Sequence, residues 1–231
     1  MKNASQYGRK FVTLWRRIKS SHEAALMPRY DPITQLIYGF LLWNAPRRSA
    51  DAALTRVGQE MVDNNDLRVS HDQEIIALIG ESYPLVEERS ARLREALNDI
   101  FARQHILCLD GLLNKPKREA RQFLESLSGI TSFVSSHVTL TVFEGHAVPV
   151  DDRLADVLRR EKVVDAEATI PDITSFLERR IRAEHSLQAH ATFQAWVDVR
   201  TRRASRGNSA RSGSKAETAP RKKTKKSVGR K

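Results

Sequence analysis

Apolar residues recur at three- and four-residue spacing along most of the chain, a pattern that predicts helices. Phe11, Leu14, Trp15 and Ile18 mark one face of a helix over 7–20, with Arg16, Arg17 and Lys19 on the others. Asp31-Pro32 reads as an N-cap followed by proline at the first helical position. It opens a helix from Ile33 to Trp43, which Asn44-Ala45-Pro46 ends. Ser49 is the expected cap of the next helix, carrying Ala53, Leu54, Val57 and Met61. Ser70 and Gln73 resemble a capping box for a short helix ending near Gly80. Leu93, Leu97, Ile100 and Phe101 predict a helix over 87–104, and a shorter one follows over 118–127. Asp151 opens a helix to about 162, and two more run over 171–182 and 186–200. The stretch 138–143, VTLTVF, has the composition of a strand. Yet Val134, Val138 and Val142 stand four apart, as on a helix.

Charge changes this picture at one end only. The formal net charge is +11, from 39 basic and 28 acidic residues. Twelve of the basic residues and a single acid, Glu217, lie in 201–231, so the first 200 residues are formally neutral. That last segment is rich in Ser, Gly and Ala without apolar periodicity, and it reads as a disordered basic tail. Lys222, Lys223, Lys225 and Lys226 are its densest cluster and the expected phosphate contacts; a solubilising or targeting tail is the plainer alternative. The single cysteine, Cys108, rules out an intramolecular disulfide. No apolar run approaches the ~20 residues of a membrane helix. A soluble, monomeric intracellular protein with no cofactor, placed in cytoplasm, nucleoid or nucleus, is therefore the expectation, with no membrane partner. His185 and His190, five apart, do not share a helical face and make a poor metal pair. Neither HExxH, CxxC, a Walker loop nor Ser-His-Asp spacing occurs.

One stretch organises the rest: LESLSGITSFVSSHVTLTVFEGHAVPVDDRLADVLRR, ending at Arg160. A short helix, a tight turn at Gly129, a second helix over 132–143, a loop over 144–150 and a third helix from Asp151 form a helix–hairpin–helix unit followed by an acid. A glycine turn of this kind can aim backbone N–H groups at a phosphate. With DPITQLIYGFLLWNAP upstream, this resembles the helix–hairpin–helix DNA glycosylases of the endonuclease III superfamily. The resemblance covers roughly 28–200 and rests on Leu127 to Thr131 as the hairpin and on Val150-Asp151.

The resemblance implies an all-α, two-lobed fold. One six-helix domain would span 31–145 and hold the helix–hairpin–helix at about 118–143. A second lobe would join 1–30 to 146–200, with 201–231 as the tail. It implies that 138–143 is helical, that Asp151 is the candidate catalytic carboxylate, and that Gly129, Ile130 and Thr131 hold a DNA phosphate. Asn44 matches a residue that wedges into the duplex, and Phe133 falls where lyases of the family carry lysine. A phenyl ring forms no Schiff base, so Phe133 is a candidate base-stacking group instead, with a plain core residue as the alternative. Thr131 replaces the second hairpin glycine, so left-handed backbone there would be strained or replaced. The four cysteines of the family's iron–sulfur loop are missing. His137 and His146 flank the candidate groove, and Asp152 reads as a solvated first-turn acid.

Two function classes follow. The first is a monofunctional DNA N-glycosylase of base-excision repair, which flips a damaged or mismatched base into a groove lined by Asp151. The second is an inactive relative that binds double-stranded DNA or senses damage. For Asp151 the competing role is simply the N-cap of its helix. A generic helical scaffold with a basic tail is a third possibility.

Overall fold

The computed structural model describes residues 4–22, 25 and 27–213, with side chains over 5–202 of these. Among the described residues the secondary structure is all helical. The α-helices are α1 (Ala4–Ser21), α2 (Pro32–Leu42), α3 (Arg47–Glu60), α4 (Asn64–Val69), α5 (Asp72–Ile79), α6 (Val86–Gln104), α7 (Lys117–Glu125), α8 (Ser132–Thr141), α9 (Asp152–Arg160), α10 (Ile170–Glu178) and α11 (Ala183–Gly213). A 3-10 turn, Asp110–Leu112, lies between α6 and α7. No helix among the described residues is long and apolar enough to cross a membrane.

Local chemistry sets several boundaries. Asp31 caps α2 by accepting from Thr34 N at 3.0 Å, with Pro32 in the first turn. The capping box sits one residue later than the sequence suggests: His71 is the N-cap of α5 and Glu74 accepts from its N–H at 2.7 Å. Ser49 is no cap; Pro46 precedes α3, and Ser49 lies in its first turn. The short α4 is absent from the apolar pattern, and Asp63 caps it through the Asn65 and Asp66 N–H groups. At the other end α11 continues to Gly213, so the backbone remains helical thirteen residues into the expected tail. The lysine cluster at 222–226 lies outside the described residues.

Apolar side chains gather in two cores. The first takes Ile37, Phe40 and Leu41 of α2, Leu93 and Leu97 of α6, and Val134 and Val138 of α8. The second takes Phe11 and Leu14 of α1, Leu154 and Leu158 of α9, Phe176 of α10, and Phe193 and Trp196 of α11. Phe11 meets Phe176 edge-on at 5.8 Å between centroids. Each such side chain contributes about 1.5–3 kcal/mol on burial. Within the first core α2 and α8 pack closely because Gly39 lacks a Cβ. One placed there would stand 3.1 Å from the His137 ring and 3.3 Å from Val134.

Helix α8 is helical despite its strand-like composition. Every side chain from Phe133 to Thr141 is buried. With all faces covered, apolar and β-branched residues serve packing on every side.

Candidate functional site

The hairpin joins α7 to α8. Gly129 adopts φ +71°, and a Cβ built on it would stand 2.5 Å from the carbonyl oxygen of Arg92 on α6. Both the backbone conformation and the close approach require glycine. Thr131 needs neither. It is extended, φ −104° and ψ 155°, and its Oγ1 accepts from Val134 N at 3.2 Å, capping α8. The departure from a second glycine is thus replaced by a different local solution, without strain. The Ser128 N–H donates to Oδ2 of Asp99 at 2.8 Å. Burial would raise that carboxyl, but the Ser128 N–H and the Arg103 guanidinium outweigh it and hold it below its ordinary value. The N–H groups of Gly129, Thr131, Ser132 and Phe133 have no acceptor among the described residues. Together they form a short array of donors at the positive end of α8.

Asp151 does not line an open groove. It is 2 % exposed. Its Oδ1 accepts from Leu154 N at 2.9 Å, capping α9, and its Oδ2 accepts from Asn44 N at 3.2 Å. Burial pushes the carboxyl above its ordinary value, against the pull of those N–H groups and of Arg153. Asn44 is likewise engaged in the same joint. It takes a left-handed φ of 53°, its Nδ2 donates to Asp152 Oδ2 at 2.8 Å, and its Oδ1 accepts from Asp152 N at 3.0 Å. The start of α9 and the end of α2 are therefore joined by three hydrogen bonds. Asp152, expected to be only a solvated acid, takes part in two of them.

The joint continues on both sides. Arg153 donates to Ala45 O and to Asp198 Oδ1, and Asp198 Oδ2 accepts from Arg47 N at 3.0 Å. Behind it Arg89 is fully buried, donating to Phe40 O, to Trp43 O at 2.6 Å and to Pro84 O at 2.8 Å. The Phe40 and Trp43 carbonyls end α2, where a cation offsets the helix dipole, and Pro84 O belongs to the turn before α6. Burial pulls the guanidinium down to about 10, still cationic at neutral pH.

Phe133 is a core residue, 1 % exposed, and offers no surface to an extruded base. Its ring lies parallel to that of His137 at 6.2 Å and meets His190 edge-on at 6.0 Å. His137 does not flank a groove; it is fully buried. Gln35 Oε1 accepts from Tyr30 N, so its amide N–H₂ faces His137 Nε2 at 2.8 Å. His137 must then carry its proton on Nδ1, which points at His190 Nε2 at 3.0 Å. That leaves the second proton on His190 Nδ1, which has no acceptor among the described residues. Burial holds His137 down at about 3, and His190 lies well below its ordinary value through burial and the neighbouring His137 and Arg47. Sequence spacing gives no hint of this pair, because the two rings come from helices 53 residues apart. His146 is exposed and contacts Ile181 O at 2.9 Å.

No protein-family model matches the sequence, and no curated protein matches it. Solved structures do match in three dimensions. A non-covalent endonuclease III–DNA complex superposes with a TM-score of 0.61 at 18 % identity, covering 84 % of this chain and 85 % of that one. The Clostridium acetobutylicum 8-oxoguanine glycosylase/lyase, in complex with double-stranded DNA, gives 0.63 at 13 % identity over 87 % and 71 %. The H. pylori 3-methyladenine DNA glycosylase, bound to 1,N6-ethenoadenine, gives 0.52 at 11 % identity over 83 % and 93 %. At these identities the likeness is one of fold. The chain has the all-helical fold of the helix–hairpin–helix DNA glycosylases.

Proposed function

We propose that this chain is a double-stranded DNA-binding protein built on the glycosylase fold, recognising damaged or mispaired sites without excising the base. One observation carries the second half of this reading. Cleavage of an N-glycosidic bond develops positive charge on the sugar and calls for a carboxylate facing the extruded nucleoside. By the resemblance Asp151 is the candidate for that group, yet it is buried with both oxygens engaged by backbone N–H groups. The position for a Schiff-base lysine holds the buried Phe133. Support for DNA binding comes from the unaccepted N–H groups around Gly129 and from a fold whose solved members include DNA complexes.

Equilibrium binding of the full chain to duplexes that are undamaged, or that bear uracil, alkylated, oxidised or mismatched bases, tests the DNA reading. Binding that weakens steeply with salt is expected; no detectable binding to any duplex rejects it.

A second reading, a monofunctional DNA N-glycosylase that uses Asp151, has one observation in its favour. The carboxyl keeps its place at the start of α9 with a raised proton affinity, and one 3.2 Å bond from Asn44 separates it from the α2 corner. A base released by the wild type and retained by Asp151→Asn would favour this reading.

A further inference from the structure

An open cavity of about 540 Å³ lies between the end of α1, the start of α3 and the middle turns of α11. Its charged lining is Arg47, Arg48, Asp51, Asp198 and Arg202, with His22 on one wall. The two carboxylates are already occupied within the fold. Asp198 binds Arg153 and the Arg47 N–H. Asp51 accepts from the Tyr38 hydroxyl at 2.7 Å and lies 3.9 Å from Arg47 Nε. Arg47 is also tied to Ala25 O at 2.8 Å. Arg48 and Arg202 differ from these groups: both are exposed, and neither forms an ion pair among the described residues. Two guanidinium groups from distant parts of the chain therefore share a cavity whose acids are engaged elsewhere, which leaves its field positive. The planar fork of arginine matches paired phosphate oxygens.

We propose that this cavity is a phosphate-binding site, in which Arg48 and Arg202 grip one phosphodiester of duplex DNA; it rests on the DNA-binding reading above. Its position gives it a consequence for the basic arm. Arg203, Arg206 and Arg211 follow Arg202 in the sequence, and the α11 backbone stays helical to Gly213. A phosphate held at Arg202 fixes where that arm begins along the duplex.

The test is a salt titration of duplex binding by the full chain between about 50 and 200 mM salt, comparing wild type, the Arg48→Gln/Arg202→Gln double variant and Arg94→Gln. Arg94 is the control, already paired with Asp72 at 2.7 Å. Loss of one neutralised phosphate should make the log–log slope of the double variant shallower by about 0.9, and leave Arg94→Gln on the wild-type slope. Both substituted side chains are exposed, and unchanged melting of the variants confirms that they fold. An unchanged slope in a double variant that still binds would overturn the site while leaving the DNA reading intact. Failure of the wild type to bind would remove both.

Discussion

The backbone N–H of Asn44 donates to Oδ2 of Asp151 across 3.2 Å, joining the end of α2 to the start of α9 over 107 residues of chain. The same carboxylate caps α9 through its other oxygen. Asp151 is thus a joint before it is anything else. Asp151→Ala removes a cap and leaves two N–H groups without acceptors, and should destabilise the protein by roughly 2–4 kcal/mol. Chemical denaturation measures this. A neutral or stabilising effect is what removal of a strained, functional carboxylate gives, and would point to excision chemistry instead.

Acid should weaken the fold through the histidine pair. His137 and His190 are neutral when folded, His137 being held at about 3 and His190 well below its ordinary value. The unfolded chain protonates both near 6.5, so below that pH it binds more protons than the native state. Stability is therefore fully present above about 6.5 and declines as pH falls through it towards the depressed native values. Each histidine contributes about 1.4 kcal/mol per pH unit in that window. Urea midpoints at pH 7.5 and 5.5 should differ, and the difference should shrink in His190→Gln. Equal midpoints for the wild type would mean that the pair is solvated or already charged.

Gly129→Ala meets two obstacles, a left-handed backbone and the Arg92 carbonyl 2.5 Å from the new Cβ. Their combined cost is roughly 2–4 kcal/mol. Where the hairpin survives, its N–H groups are displaced, so duplex affinity should also fall several-fold. Thermal melting and binding anisotropy report the two effects separately. Wild-type behaviour in both would show that the turn is not needed in this shape.

Much of the frame is legible in the sequence because caps and breakers are local. Asp31-Pro32 and Asp151 each mark a boundary through contacts within three residues, and Gly129 does so through its own left-handed backbone. The roles of the site residues are not legible, because they depend on partners far along the chain. Asp151 is closed off by Asn44, His137 is drawn into the core by Gln35 and His190, and Phe133 is covered by the same rings. The resemblance gives no warning of their burial. Helix α8 is legible only through its valines four apart and the resemblance, because, surrounded on all sides, it has no solvent face to disclose its period.

Base release under single-turnover conditions, with the protein in excess over duplexes carrying uracil, alkylated, oxidised or mismatched bases, tests the role of Asp151 most directly. The expected result is duplex binding with no free base above the protein-free control, for the wild type and Asp151→Asn alike. Release of any base by the wild type, abolished in Asp151→Asn while binding persists, would contradict it.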